Sequence, residues 1–356
     1  MFFAGKFCER CWSLPLYNNG FIKIIQISTD AGTFITVLKG SYVMKIKEPI
    51  FLEPYLTHNV WGGDRLIKDF GYKNIGKDIG ECWGISGHVP GESVVKNTEF
   101  KGMKLSELYD KRRDLFGNVK YKEFPLLVKI IDARKDLSIQ VHPDNEYAGE
   151  HENGSYGKTE CWYILDAPKD ATLVIGHNAS TRVELTEMVR GKRWNDLIRE
   201  IPVKKGDFIQ IDPGTVHAIK AGILLLETQQ SCDITYRLYD YDRLYNGKLR
   251  ELHINKALDV INVPGHSTDK VCTDDMPENK MNKIYECEFY KIYKMIVNRE
   301  SDLIENKHPF LNVSVVSGTG EIDGNKIKKG DHFILPYGYG DFKISGNLEL
   351  IASSVK

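Results

Sequence analysis

No stretch of this 356-residue chain is long and apolar enough to cross a bilayer as a helix. Its longest apolar runs, such as Ile223 to Leu226, fall far short of the roughly 20 residues a spanning helix needs, and charges interrupt everything longer. An excess of charge is missing too. Lys and Arg number 48 against 49 Asp and Glu, so there is no electrostatic case for a nucleic acid or a charged membrane as partner. A secretory leader needs a basic start, an apolar run and a small-residue cleavage site, and residues 1 to 38 offer only Phe2, Phe3 and short alternating stretches. A disulfide framework has little to work with. The seven cysteines (Cys8, Cys11, Cys82, Cys161, Cys232, Cys272, Cys287) are odd in number and mostly isolated, which reads as reduced thiols in a cytoplasmic protein. Cys8 and Cys11 make a CxxC without a second pair, a weak signal for zinc or redox chemistry.

What is present is material for a large core, since 42% of residues are hydrophobic against 27% charged. Residues 1 to 43 are compositionally odd, and the stretch from Met44 to Phe51 has the look of a natural start, so 1 to 43 reads as an N-terminal extension or a mis-assigned start. From Met44 onward, short β-branched or aromatic runs are bounded by Gly, Pro, Asn and Asp: Leu126 to Ile131, Cys161 to Leu165, Phe208 to Ile211, Ile223 to Thr228. Helical spacing occurs in only two places, at Leu105, Leu108 and Tyr109 with Gly117 as a stop, and at Val183 to Val189 followed by Trp194, Leu197 and Ile198. The chain is therefore expected to be mostly β with a few helical side elements.

An internal echo points to two β-modules. Gly206-Asp-Phe-Ile-Gln-Ile-Asp-Pro-Gly214 is matched by Gly330-Asp-His-Phe-Ile-Leu-Pro-Tyr-Gly338. Each has a Gly-Asp turn, a short apolar strand and a Pro-containing turn, which resembles a signature of cupin jelly-roll barrels. The expected organisation is a catalytic cupin domain at 44–268 with helical insertions, a polar linker at 269–283 and a C-terminal cupin-like module at 284–356. Only the first copy carries a histidine, His217, after its Pro-Gly turn, so the C-terminal module is expected to be metal-free.

Gln140 and His142 stand two apart at the end of an apolar run, on one face of a strand. Glu160 precedes the strand-like Cys161 to Leu165, and His217 follows a tight Pro213-Gly214 turn. Together they offer two imidazoles, a carboxylate and an amide oxygen, a donor set that suits zinc, with iron, manganese or cobalt also admissible. Each alone has an ordinary explanation: His142 as a turn histidine, Glu160 as a surface strand end, Gln140 as a hydrogen-bonded turn.

Six segments carry a closer resemblance. Phe51-Leu-Glu-Pro with Trp61-Gly-Gly, Glu81-Cys-Trp-Gly-Ile-Ser-Gly-His88, Gln140-Val-His-Pro-Asp144, Gly157-Lys-Thr-Glu-Cys-Trp-Tyr163, Gly214-Thr-Val-His-Ala218 and Tyr236-Arg-Leu-Tyr-Asp-Tyr-Asp-Arg243 resemble, in order, the motifs of type I phosphomannose isomerases in their compact bacterial branch. Thr159 departs from the proline common in longer relatives. The resemblance implies metal-dependent interconversion of D-mannose 6-phosphate and D-fructose 6-phosphate, with Gln140, His142, Glu160 and His217 as ligands of one zinc ion and Arg237, Lys158 and Lys129 as basic residues of the sugar-phosphate pocket. Apart from it, Lys129 reads as a strand lysine lying along apolar surface, Lys158 as a loop cation and Arg237 as a partner of Asp240 or Asp242. Two rivals use the same residues: a cupin non-haem metal oxygenase and a non-catalytic sugar-binding cupin.

Overall fold

The computed structural model describes residues 47–356 save 90, 246, 266 and 267, and before them the backbone of three strands. Those three, Cys8–Leu16, Gly20–Thr29 and Gly32–Ser41, pair as an antiparallel meander in which Cys8 faces Ser28 and Gly20 faces Ser41. They belong to a unit, Met1–Ile46, separate from Lys47–Lys356. The CxxC reading at Cys8 and Cys11 concerns side chains that lie outside the described residues.

In Lys47–Lys356 the apolar runs form strands where expected. Leu126–Asp132, Glu160–Asp166 and Leu224–Gln230 are covered along nearly their whole length, which explains their near-continuous hydrophobic pattern. They lie in the middle of a seven-stranded sheet. A five-stranded sheet, which includes Ile139–Val141, Thr172–His177, His217–Ala218 and Tyr236–Tyr239, packs on it through Ile131, Trp162, Ile164 and Leu225 against Leu173 and Ile175. The outer face of the five-stranded sheet is covered by the helices Arg182–Arg190, Trp194–Leu197 and Ile254–Val260, through Leu185, Val189, Leu197 and Leu258. Thr181 caps the first of these by accepting from the Glu184 N–H, while Glu184 accepts from the Ser180 N–H. The helix Leu105–Lys111 runs into a 3₁₀ turn that Gly117 ends in the left-handed region, φ 67°.

The echo of the sequence is an echo of backbone. Gly206 and Gly330 have φ 86° and 92°, and Gly214 and Gly338 have φ 80° and 74°, values that glycine alone adopts freely. Asp207 accepts from the Lys204 N–H at 2.9 Å and Asp331 from the Lys328 N–H at 2.8 Å, the same turn built twice.

The structure adds three features to the expected mostly-β cupin organisation. The sheets are open and stacked as a cupin-like β-sandwich rather than closed into barrels. The segment 269–283 is more than a linker, because Lys270–Cys272 adds an edge strand to the seven-stranded sheet beside Asp207–Ile211. The modules also exchange chain. Ile50–Glu53 pairs with His332–Leu335 and so completes the eight-stranded C-terminal sheet from the far end of the sequence. Pairing across such a separation leaves no local pattern in either segment.

Candidate active site and metal centre

Two rows of cross-strand neighbours face each other between the sheets. In the five-stranded sheet, His217 stands opposite Gln140, and Gln140 opposite Arg237. In the seven-stranded sheet, Trp83 stands opposite Lys129, Lys129 opposite Glu227, and Glu227 opposite Trp162. His142 follows the strand Ile139–Val141, and Glu160 opens the strand Glu160–Asp166. The loop carrying Lys158 is held against the one carrying His142 by the Lys158 N–H, which donates to the Pro143 carbonyl at 3.0 Å. Gly157 makes this approach possible, since a β-carbon there would come within 2.3 Å of the Asp144 backbone.

His142, Glu160 and His217 are buried, and their donor atoms all lie within 4.8 Å of one another. Each imidazole turns Nδ1 to a carbonyl, His142 to Ile234 at 2.7 Å and His217 to Thr215 at 2.9 Å. Donation from Nδ1 leaves an Nε2 lone pair on both rings, directed at Glu160: 3.2 Å to Oε1 from His217 and 3.6 Å to Oε2 from His142. Burial lowers both histidines, His217 to about 4 and His142 well below its ordinary value with help from the Lys158 charge, so both are neutral and able to ligate. Neither oxygen of Glu160 receives a well-directed hydrogen bond, although Lys158 Nζ lies 2.8 Å from Oε2. Burial pushes Glu160 up to about 7 against the pull of Lys158. A buried carboxylate with unused lone pairs beside two imidazole lone pairs fits a divalent cation. The amide of Gln140 adjoins the cluster, 3.3 Å from His217 Nε2. A half-turn of that amide exchanges its nitrogen for its oxygen on the side facing the cluster.

The cluster adjoins a cavity of about 210 Å³ lined by Lys129, Gln140, Lys158, Arg237, Glu227 and Trp162, among others. All seven residues expected at the site thus come together. Lys158 is no solvated loop cation: it is 5% exposed, and although burial opposes its charge, Glu160 and Glu227 outweigh burial and hold its pKa above the ordinary value. Lys129 is buried between Glu227 at 3.3 Å and Glu81 at 3.9 Å, and over the Trp83 ring at 4.9 Å. Arg237 pairs with neither Asp240 nor Asp242. It donates instead to Ser138 Oγ and the Glu251 carbonyl. A larger depression of about 570 Å³, beside Trp194 and Tyr239, holds none of these groups, so size does not locate the site.

Glu227 was missed in the sequence, although it stands inside the apolar strand run from Ile223. It is 3% exposed, accepts from Trp162 Nε1 at 3.1 Å, and is held down to about 2 because Lys158 and Lys129 outweigh the cost of its burial. A charged residue inside a buried strand pattern was the available signal. Glu81 and Trp83, within one of the six family-like segments, also line the cavity, as do Ser138 and Arg250, which carry no such mark.

Two family models match the chain: the type I phosphomannose isomerase catalytic domain over residues 50–172, and the mannose-6-phosphate isomerase cupin domain over residues 280–355. The mannose-6-phosphate isomerase ManA of Bacillus subtilis is 48% identical over 312 residues, covering 86% of this chain and 98% of that protein. This chain belongs to the type I phosphomannose isomerase family. The mannose-6-phosphate isomerase of Streptococcus mutans is 44% identical over 313 residues, again covering 86% of this chain and 98% of its own. A crystal structure of the Bacillus subtilis mannose 6-phosphate isomerase superposes with a TM-score of 0.78 at 42% identity, over 86% of this chain and 99% of that one. The site of this type I isomerase therefore sits in a fold shared with that structure.

Proposed function

We propose that this chain interconverts D-mannose 6-phosphate and D-fructose 6-phosphate through a cis-enediol(ate), with one divalent ion, zinc in the first place, held by Gln140, His142, Glu160 and His217. The observation that carries the reading is the meeting of the cluster, with its unused Glu160 oxygens and neutral imidazoles, and the lysine–carboxylate pair of Lys129 and Glu227 at one family cavity. When bound, a divalent ion polarises the substrate oxygens as a Lewis acid.

The chain's own residues supply the rest. Lys129 and Glu227, side by side in the cavity wall, carry the proton that leaves C2 and returns to C1, while the hydroxyl proton passes from O2 to O1. Lys158 keeps Glu160 compensated and adds positive charge where negative charge develops. Arg237, with no carboxylate partner among the described ion pairs, is a fixed donor to that same charge. Trp83 and Trp162 flank Lys129 and Glu227 and limit the access of water. An oxygenase or a silent sugar-binding module has no need of this buried proton-transfer pair.

A coupled assay with mannose 6-phosphate, run before and after chelation and again with added zinc, tests the reading. Turnover is expected to vanish with the chelator and return with zinc. Turnover that survives complete metal removal would reject the metal site, and none in any metallated sample would reject the substrate. Among the described residues no helix is long and apolar enough to cross a membrane, and we place the enzyme in the cytoplasm. We also propose that residues 1–43 are dispensable to catalysis: a chain starting at Met44 should keep kcat and KM within about twofold, and a larger change would make the N-terminal unit part of the working enzyme.

A further inference from the structure

The strand Ile79–Ile85 meets the cavity on one face and the C-terminal sheet on the other. On the cavity side, Trp83 Nε1 donates to Glu81 Oε2 at 2.6 Å, and these two side chains bound Lys129, with Glu81 at 3.9 Å and the Trp83 ring at 4.9 Å. Side chains alternate along a strand, so Cys82 points the other way, and Gly84 presents bare backbone there. Pairing with Leu126–Asp132 slips at this place. Trp83 stands opposite Lys129 and Ile85 opposite Val128, which leaves Gly84 as the extra residue of a β-bulge. A bulge bends its strand and re-aims the side chains beside it, here Trp83.

Behind the bulge lies His332, which opens the strand His332–Leu335 of the C-terminal sheet and is 1% exposed. A β-carbon at Gly84 would come within 2.4 Å of its ring, so the imidazole rests directly on the bulged backbone. Its Nδ1 is hydrogen-bonded to Ser314 Oγ at 2.8 Å, on the neighbouring strand of its own sheet. Its Nε2 is hydrogen-bonded to the Tyr72 hydroxyl at 2.7 Å and lies 3.9 Å from Cys82 Sγ. One nitrogen is thus tied to the C-terminal module and the other to residues beside the cavity strand. On the remaining side Ser93 Oγ donates to the Trp83 and Gly84 carbonyls, both at 3.1 Å. Burial pushes His332 down to about 3, the Cys82 thiol up to about 12 and the Tyr72 hydroxyl well above its ordinary value. The group is uncharged in the neutral range, and a satisfied neutral network supplies rigidity rather than a proton.

We infer that His332 is a positioning residue for the active site: packed on the Gly84 bulge and bonded to Tyr72, it sets the strand that aims Glu81 and Trp83 at Lys129. The C-terminal module thereby takes part in chemistry done in the other. The inference rests on the proposed activity for the part that Lys129 plays. His332 acts only through that strand, since its partners are Tyr72, Cys82, Gly84 and Ser314 and it does not line the cavity.

His332→Asn and His332→Gln, compared with wild type in the zinc-loaded enzyme, test it. A glutamine amide reaches about as far as Nε2 and keeps the bond to Tyr72, whereas an asparagine amide stands in for Nδ1 and keeps only the bond to Ser314. Asparagine should lower kcat by about 10- to 100-fold, the cost of a reacting group misplaced by about 1 Å. KM and metal content should stay within about twofold, and glutamine should keep kcat within about threefold. With fluorotryptophan in place of tryptophan, the fluorine NMR resonance of Trp83, assigned through Trp83→Phe, should shift in the asparagine variant and hold still in the glutamine one. Lost stability alone does not produce that local change. A folded His332→Asn with wild-type kcat or an unmoved Trp83 resonance would overturn the inference, as would equal loss of kcat in the two variants. If asparagine prevents folding, Tyr72→Phe removes the same bond at a partly exposed position. It should shift the Trp83 resonance and lower kcat by about 3- to 10-fold, the worth of one hydrogen bond, and no change in either would overturn the inference. If wild type does not turn over mannose 6-phosphate, the proposed activity fails on its own. The Trp83 resonance then decides alone, and the positioning role stands if His332→Asn moves it and falls if it does not.

Discussion

Alanine in place of His142 is expected to strip the protein of its divalent ion and of turnover together. The imidazole is buried, its Nδ1 is committed to the Ile234 carbonyl, and its Nε2 faces Glu160, so nothing nearby can replace that lone pair. Loss of a partner one step removed from a metal already costs about 10–100-fold in affinity, and loss of the ligand itself should cost more. Elemental analysis of the purified variant should show less than about a tenth of the wild-type metal, with kcat reduced at least in proportion. His217→Ala should behave alike, because its Nδ1 is held by the Thr215 carbonyl in the same manner. A variant with full metal content would strike that histidine from the ligand set.

Arg237→Ala should separate metal binding from chemistry. Arg237 stands opposite Gln140 but touches neither histidine nor Glu160 in the hydrogen bonds it makes, so the ion should remain. Removing one fixed donor to developing negative charge costs on the order of 10²–10³-fold in kcat, and that is the expected loss. Lysine at the same position should recover only part, since a point charge cannot reproduce donation to Ser138 Oγ and to the substrate at once. Turnover near wild type with full metal would remove Arg237 from the chemistry.

The proposed ligand set could be picked out in the sequence because its members lie in short, distinctive segments. Gln140 and His142 are two apart at a strand end, Glu160 precedes a run of apolar residues, and His217 follows a Pro-Gly turn. Glu227 was harder to see. Its proposed role depends on standing opposite Lys129, a residue 98 positions away by strand pairing, and nothing in either segment announces that register. Arg250 was harder still. It lies past the last recognisable motif, and only its return to Asp240 brings it to the cavity. The strand Lys270–Cys272 inside the segment 269–283 was hidden for a similar reason, since it forms by pairing with Asp207–Ile211.

By itself, the sequence determined the strand-rich class, the repeated Gly-Asp turn, the helical side elements and the donor types of a candidate metal site. These depend on local preference: side-chain periodicity, glycine's freedom at positive φ, and residues close in the chain. Only the tertiary structure decided that Ile50–Glu53 completes a sheet near the C-terminus, and that Lys129 is paired with Glu227 and Lys158 with Glu160. Charge pairing depends on distance in space. Strand register sets that distance, and it is chosen by burial of whole sheet faces rather than by any one segment.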